Sequence, residues 1–273
     1  MDANFSDWIG RSLTREDIVT PRLLAEYRST MATFLFDPDG DTCPPGFHFG
    51  LAPATPAMLD TGPDGAERKG LFLPPIPLPR RMWAGGAIET VRSLRLNAAV
   101  TRVSTITDIR VKRGSSGELC LVSVLHEIAD GQGLAIRERQ DLVFREAASA
   151  PASAPGSEQP LAADWSVEAT PLMLFRFSAF TFNGHRIHYD LRHAAEEGYP
   201  GLLVHGPMQA ALMLNLASLR LGHVPSRFDY RCLAPLYAGA RFGVAHAEAG
   251  KTRIIRSDGV TAAEGQAHAR GTG

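Results

Sequence analysis

Between Phe177 and Pro207 the chain reads FSAFTFNGHRIHYDLRHAAEEGYPGLLVHGP, and five side chains there can carry a proton: His185, His188, Asp190, His193 and His205. Imidazole titrates near neutral pH, so a histidine held against a reactive carbon serves as a general base, and a nearby carboxylate can orient it. His185-x-x-His188 with the remote His205 is a poor match to a zinc site, which needs three or four convergent ligands, and no metal is expected.

Two elements must position these groups. The apolar run Leu172 to Phe182, interrupted by Arg176, Ser178 and Thr181, reads as a buried strand that ends at the turn-forming pair Asn183-Gly184. His185 and His188 then lie on the connection leaving it. Gly206-Pro207 opens a helix in which Met208, Ala211, Leu212, Asn215, Leu216 and Leu219 recur at helical spacing up to Gly222. Ala210, Met213, Leu214 and Ala217 make its other faces apolar as well, so other elements must wrap it. Its first turn aims unpaired N–H groups at whatever lies beside His205 and Gly206. Histidines facing such a helix start suit a substrate that develops negative charge on oxygen.

The string FNGHRIHYD, Phe182 to Asp190, resembles the motif G-D-x-N-P-L-H-x-D of MaoC-like hydratases and dehydratases. With EGYPGLLVHGP it is most similar to the subgroup acting on mesaconyl-C4-CoA (3-methylfumaryl-CoA) or itaconyl-CoA, and to the type 2 hydroxyacyl-thioester dehydratases. LPPIPLPRRMWAGG (Leu73 to Gly86) and Leu134 to Phe144 resemble the first, non-catalytic repeat of the same proteins, so the resemblance spans residues 15–245. It implies an α+β double hotdog, in which each of two repeats wraps an antiparallel sheet around a central helix. It also implies a hydro-lyase that reversibly hydrates an enoyl-CoA. The only cofactor-like group is the coenzyme A carried by the substrate.

The family's catalytic histidine falls on His188, but its catalytic aspartate falls on Asn183. An amide accepts no proton at neutral pH, so the base is His188 alone, or His188 helped by Asp190. Asn183 then holds the water, and the Gly206 N–H holds the thioester oxygen, with His205 and His185 beside them. Asp190 has an equal structural reading as a cap for Leu191 to Glu197. A C5-dicarboxylic thioester, hydrated to citramalyl-CoA, needs a buried cation for its free carboxylate, and Arg186 and Arg81 are the candidates. Arg80 and Arg81, next to Trp83, can alternatively meet CoA phosphate. Two other functions stay open: dehydration of hydroxyacyl groups on acyl carrier protein or CoA, and a non-catalytic acyl-CoA-binding subunit.

The remaining composition is compatible with this. The 273 residues carry a net charge of -1 with no long Lys/Arg run, which argues against nucleic acid as a partner. Cys43, Cys120 and Cys232 are scattered, as in a reducing compartment. The first residues lack an apolar signal core and no run is long enough to span a bilayer, so the expected location is cytoplasmic, without a membrane partner and with a possible homo-oligomer.

Thr20-Pro21 caps an amphipathic helix running to Leu35, and a Pro/Gly-rich excursion follows over 37–80. Thr101–Val111, Glu118–Glu127 and Leu134–Phe144 read as an antiparallel meander, as do Arg227–Leu236, Ala240–Glu248 and Lys251–Arg256. Thr261 to Gly273 is short of large apolar residues and is expected to fray. A linker over 147–163 divides an N-terminal repeat, 1–146, from a catalytic repeat, 164–273. Either half alone leaves an open sheet edge, which a shared sheet would cover.

Overall fold

The computed structural model describes residues 5–37, 39–114, 117–147, 156–157, 159 and 161–268. In chain order the elements are β1 (Ser12–Ile18), α1 (Pro21–Met31), β2 (Arg80–Thr90), β3 (Ala99–Gly114), β4 (Gly117–Asp130), β5 (Gly133–Arg145), β6 (Trp165–Glu168), α2 (Pro171–Phe180), α3 (Leu191–Glu196), α4 (Gly206–Leu221), β7 (Arg227–Cys232), β8 (Arg241–Ala247), β9 (Lys251–Arg256) and β10 (Thr261–His268). All ten strands join one antiparallel sheet in the order β1-β3-β4-β5-β2-β7-β10-β9-β8-β6. Read from either end, the order repeats, and the halves meet where β2 pairs with β7, Gly85 opposite Arg231 through Glu89 opposite Arg227. The expected double hotdog with its shared sheet is therefore what the chain forms.

The repeat is not complete in its helices. α4 is buried from Met208 to Ser218 and packs across β8, β9 and β10. Among the described residues the first half has no long helix in the matching place, contrary to the expectation of one central helix per repeat. A 3-10 turn at Phe47–Gly50 stands there, burying Phe47 and Phe49. The turn is tied to its neighbours through the Pro45 carbonyl, which accepts from Tyr27 Oη (2.6 Å) and Asn215 Nδ2 (2.8 Å). Proline and glycine keep this segment from helical growth.

Three other expectations change. The run Leu172 to Phe182 is helix α2, not a strand: Thr170 caps it by accepting from the Met173 N–H, with Pro171 at the first position. Leu174, Phe177 and Phe180 face inward, while Leu172 and Phe175 are exposed. A run this rich in apolar residues hides its period, and the Thr-Pro start shared with α1 is the signal of a helix. α1 itself stops at Met31, because Thr33 adopts a left-handed φ of 71° and turns the chain. Thr261 to His268 does not fray. It forms β10, in the sheet interior between β7 and β9. Its small residues fit a crowded place: a Cβ at Gly265 would sit 2.3 Å from the Phe228 ring and 2.8 Å from Thr252 Oγ1. Residues 269–273, and positions 148–155, 158 and 160 of the expected linker, lie outside the described residues.

β1, which the sequence reading passed over, alternates half-buried and exposed residues at one edge of the sheet. β2 begins at Arg80, in the stretch Leu73 to Gly86 that carries the resemblance to the first repeat.

Candidate active site

The segment between α2 and α4 folds back through a 3-10 turn, Arg186–His188, and the short helix α3. Asn183 shapes the exit from α2: its Oδ1 accepts the His185 N–H at 3.0 Å, the usual way a short polar side chain fixes a turn. The residue before it, Phe182, sits at a left-handed φ of 49°. This tight exit swings His185 and His188 inward, and both are buried.

His188 is held at one nitrogen. Its Nδ1 lies 2.8 Å from the Leu203 carbonyl oxygen, which can only accept, so Nδ1 carries the proton and Nε2 keeps its lone pair. Nε2 makes no hydrogen bond to the described residues. Burial pulls the pKa of His188 from 6.5 down to about 4, against a smaller opposing effect of the Leu203 carbonyl. The ring is therefore a neutral base across the physiological range.

His205, the residue before α4, stacks on His188, and its Nε2 is 2.8 Å from Ser178 Oγ on α2. His185 meets His188 edge to face at 5.6 Å between centroids. Burial, then the neighbouring imidazoles, hold both His185 and His205 well below the ordinary histidine range. Among the described residues no group of three His, Cys, Asp or Glu is placed to hold a metal ion.

Gly206 begins α4, so its N–H has no partner within the helix, and Pro207 has no N–H to offer. A Cβ at Gly206 would lie 3.1 Å from Trp83 Cβ, Cγ and Cδ1. Glycine therefore lets the helix start close against the indole. Trp83 in turn donates Nε1–H to Tyr230 Oη at 3.0 Å.

These groups open on one cavity of about 1300 Å³. The second half contributes Asn183, His188 and Gly206 to its wall, and the first half contributes Trp83, His126 and Gln140. Of the expected site residues, Asn183, His185, His188, Gly206, Trp83 and Arg81 line the cavity, and His205 backs His188.

Two candidates are placed differently. Asp190 does not reach His188, because both of its oxygens are engaged. Oδ1 accepts from the Arg192 and His193 N–H groups as the cap of α3, and Oδ2 accepts from Arg186 at 2.7 Å. The Leu203 carbonyl does the orienting that a carboxylate was expected to do. Arg186 is taken up by Asp190 and the Pro63 carbonyl and is absent from the cavity wall. Arg81 lines the cavity but is paired with Asp64 at 3.0 Å. Sequence reasoning passed over Ser178, Tyr230 and Gln209; a glutamine one turn into a greasy helix start was a visible signal for the last.

The model of the family hydroxyacyl-thioester dehydratase type 2 matches residues 46–238. The chain is also 40% identical over 246 residues, 88% of each chain, to the mesaconyl-C4-CoA hydratase of Chloroflexus aurantiacus. The chain belongs to the hydroxyacyl-thioester dehydratase type 2 family. As a member it is a MaoC-like hydro-lyase whose substrate is an acyl thioester. Among solved structures it is similar to HtdX of Mycobacterium tuberculosis, with a TM-score of 0.68 at 19% identity, covering 93% of this chain and 98% of that one. It is also similar to a Mycobacterium tuberculosis protein with a double hotdog fold, with a TM-score of 0.56 at 12% identity over 94% of each. At such identities these structures share the family member's fold. No helix among its described residues is long and apolar enough to cross a membrane.

Proposed function

We propose that the protein adds water reversibly to a C5-dicarboxylic enoyl-CoA, mesaconyl-C4-CoA or itaconyl-CoA, to give citramalyl-CoA. The observation that carries the chemistry is the 2.8 Å contact of His188 Nδ1 with the Leu203 carbonyl: it leaves Nε2 with its lone pair, on a ring that lines the cavity and stacks on His205 at the start of α4. The substrate choice is supported by the 40% identity to a mesaconyl-C4-CoA hydratase.

His188 Nε2 takes a proton from water as the water oxygen bonds to the β-carbon. The C=C electrons move onto the thioester carbonyl, and the Gly206 N–H holds the enolate oxygen, aided by the helix dipole. The His188 imidazolium then returns its proton to the α-carbon. Asn183, its Oδ1 engaged by the His185 N–H, offers its amide N–H to the water oxygen. Asp190 has no part in this scheme. No cofactor is needed beyond the coenzyme A of the substrate.

The test is loss of enoyl-thioester absorbance with mesaconyl-C4-CoA, itaconyl-CoA and crotonyl-CoA, with His188→Ala in parallel. Turnover of a dicarboxylic thioester that the variant lacks supports the proposal. Turnover of crotonyl-CoA or longer enoyl thioesters alone favours the second reading, dehydration of hydroxyacyl thioesters of the fatty-acid type, which the match to the hydroxyacyl-thioester dehydratase type 2 family supports. Binding without turnover of any of them leaves an acyl-CoA-binding protein. We place the protein in the cytoplasm, where its three free cysteines stay reduced.

A further inference from the structure

The face of the first repeat that would meet a central helix is polar where a hotdog core is ordinarily apolar. Ser104, His126 and Glu138 lie in register across β3, β4 and β5, and Gln140 follows two residues along β5 on the same face. All but Ser104 and Gln140 are charged or titratable, and Arg102 stands beside them on β3. The cavity that contains His188 extends over Arg102, Ser104, His126 and Gln140.

The hydrogen bonds give this patch a direction. Gln140 Oε1 and Ser104 Oγ flank the His126 ring at 2.8 Å each. An amide oxygen only accepts, so His126 Nε2 donates to Gln140 and His126 Nδ1 accepts from Ser104. The Gln140 oxygen is thereby engaged, and its NH2 group, on a residue that lines the cavity, has no acceptor among the described residues.

The surrounding charge favours an anion. Arg102 donates to the Leu51 carbonyl, its buried Nε has no partner among the described residues, and Glu138 is its carboxylate neighbour at 4.0 Å. Burial pushes the Glu138 carboxyl up to about 7, so it offsets Arg102 only in part. Arg15, on the same cavity wall, meets Glu67 at 3.7 Å. An apolar acyl tail laid here would strip water from the Gln140 amide and Arg102 without replacing its hydrogen bonds, which is costly. A carboxylate would satisfy them.

The patch also connects with the reacting centre. Trp83 touches Gly206 and bonds Tyr230, Tyr230 pairs in register with Gly86, and Gly86 pairs with Gln140. We infer that Gln140, oriented by His126 and Ser104 and backed by Arg102, binds the free carboxylate of the dicarboxylic acyl group. The non-catalytic repeat thus reads the acyl end, in place of Arg186, which is engaged elsewhere. This rests on the dicarboxylic reading above.

The test measures kcat/KM for mesaconyl-C4-CoA and for crotonyl-CoA, which keeps the phosphates and lacks the carboxylate, in wild type, Gln140→Leu and the near-isosteric Gln140→Glu. The ratio of the two is expected to fall about 10- to 100-fold in Gln140→Leu, the worth of a hydrogen bond to a charged group, and further in Gln140→Glu. An unmoved ratio in a folded variant, or equal losses on both thioesters, overturns the site. Equal losses would instead assign the patch to the carrier's phosphates. Wild-type protein that hydrates crotonyl-CoA and leaves both dicarboxylic thioesters untouched overturns the substrate reading, and this inference with it.

Discussion

The imidazoles of His188 and His205 are stacked, 3.6 Å between centroids and 17° between planes. Two rings this close in a buried site cannot both be charged, because each cation would raise the cost of the other. The stack therefore reserves the neutral state that a base needs before reaction. In the proposed mechanism, the imidazolium formed on His188 is relieved by returning its proton.

Replacing His188 with alanine is expected to lower kcat by about 100-fold or more, the usual worth of a positioned base. Stopped-flow or steady-state absorbance at the enoyl thioester band measures it, and circular dichroism should show an intact fold.

The pH profile follows from the buried ring. With His188 near 4, kcat/KM should stay level from neutral pH down past 6.5 and fall only as pH approaches about 4. Stability behaves differently. His48, lowered by burial to about 3, and His188 both bind fewer protons folded than unfolded below 6.5. Their contribution is complete above 6.5 and is lost as pH falls toward 4, by up to about 1.4 kcal/mol per pH unit for each group. Urea midpoints at a series of pH values would show that slope.

Asn183→Asp installs the acid found at this position in the wider family. The turn should survive, since a carboxylate oxygen accepts the His185 N–H as the amide oxygen does. A negative charge on the same cavity wall favours the protonated imidazole, so the acid limb of kcat/KM should move upward from about 4. An unmoved limb would show that the new charge is screened from His188.

Asp190→Ala separates capping from catalysis. Loss of the α3 cap costs about 1 kcal/mol of stability, while kcat should stay within a few-fold of wild type. A collapse of kcat comparable to that of the His188 variant would restore Asp190 to the mechanism.

Gly265→Ala tests the packing of β10. The added methyl meets the Phe228 ring and Thr252 Oγ1, which should cost about 1–3 kcal/mol, read as a lower thermal midpoint with β10 still formed.

Much of this was legible in residue order. The meander strands, α4 with its glycine end, the shared sheet, and the placing of His188 and Gly206 on one cavity wall all follow from periodicity, turn residues and the family string. What escaped depended on contacts between distant residues. α2 looked like a strand because nearly all of its face is apolar, and only its packing leaves Leu172 and Phe175 outside. β10 looked too small to be ordered until Phe228 supplied the bulk that its alanines and glycine accommodate. Asp190 and Arg186 looked chemical, but they sit one helical turn apart and neutralise each other at 2.7 Å. Gln140 and His126 gave no local sign, because what unites them is strand register.

The sheet reads alike from both ends, but among the described residues only the second half lays a long helix across it. The corresponding face of the first half, which has no such helix among the described residues, lines the cavity through Arg102, Ser104, His126 and Gln140. The proposed site, which both halves line, would then take one thioester per chain. Chain ends swapped at the β2–β7 seam would separate the proposed base from the surface proposed to select its substrate.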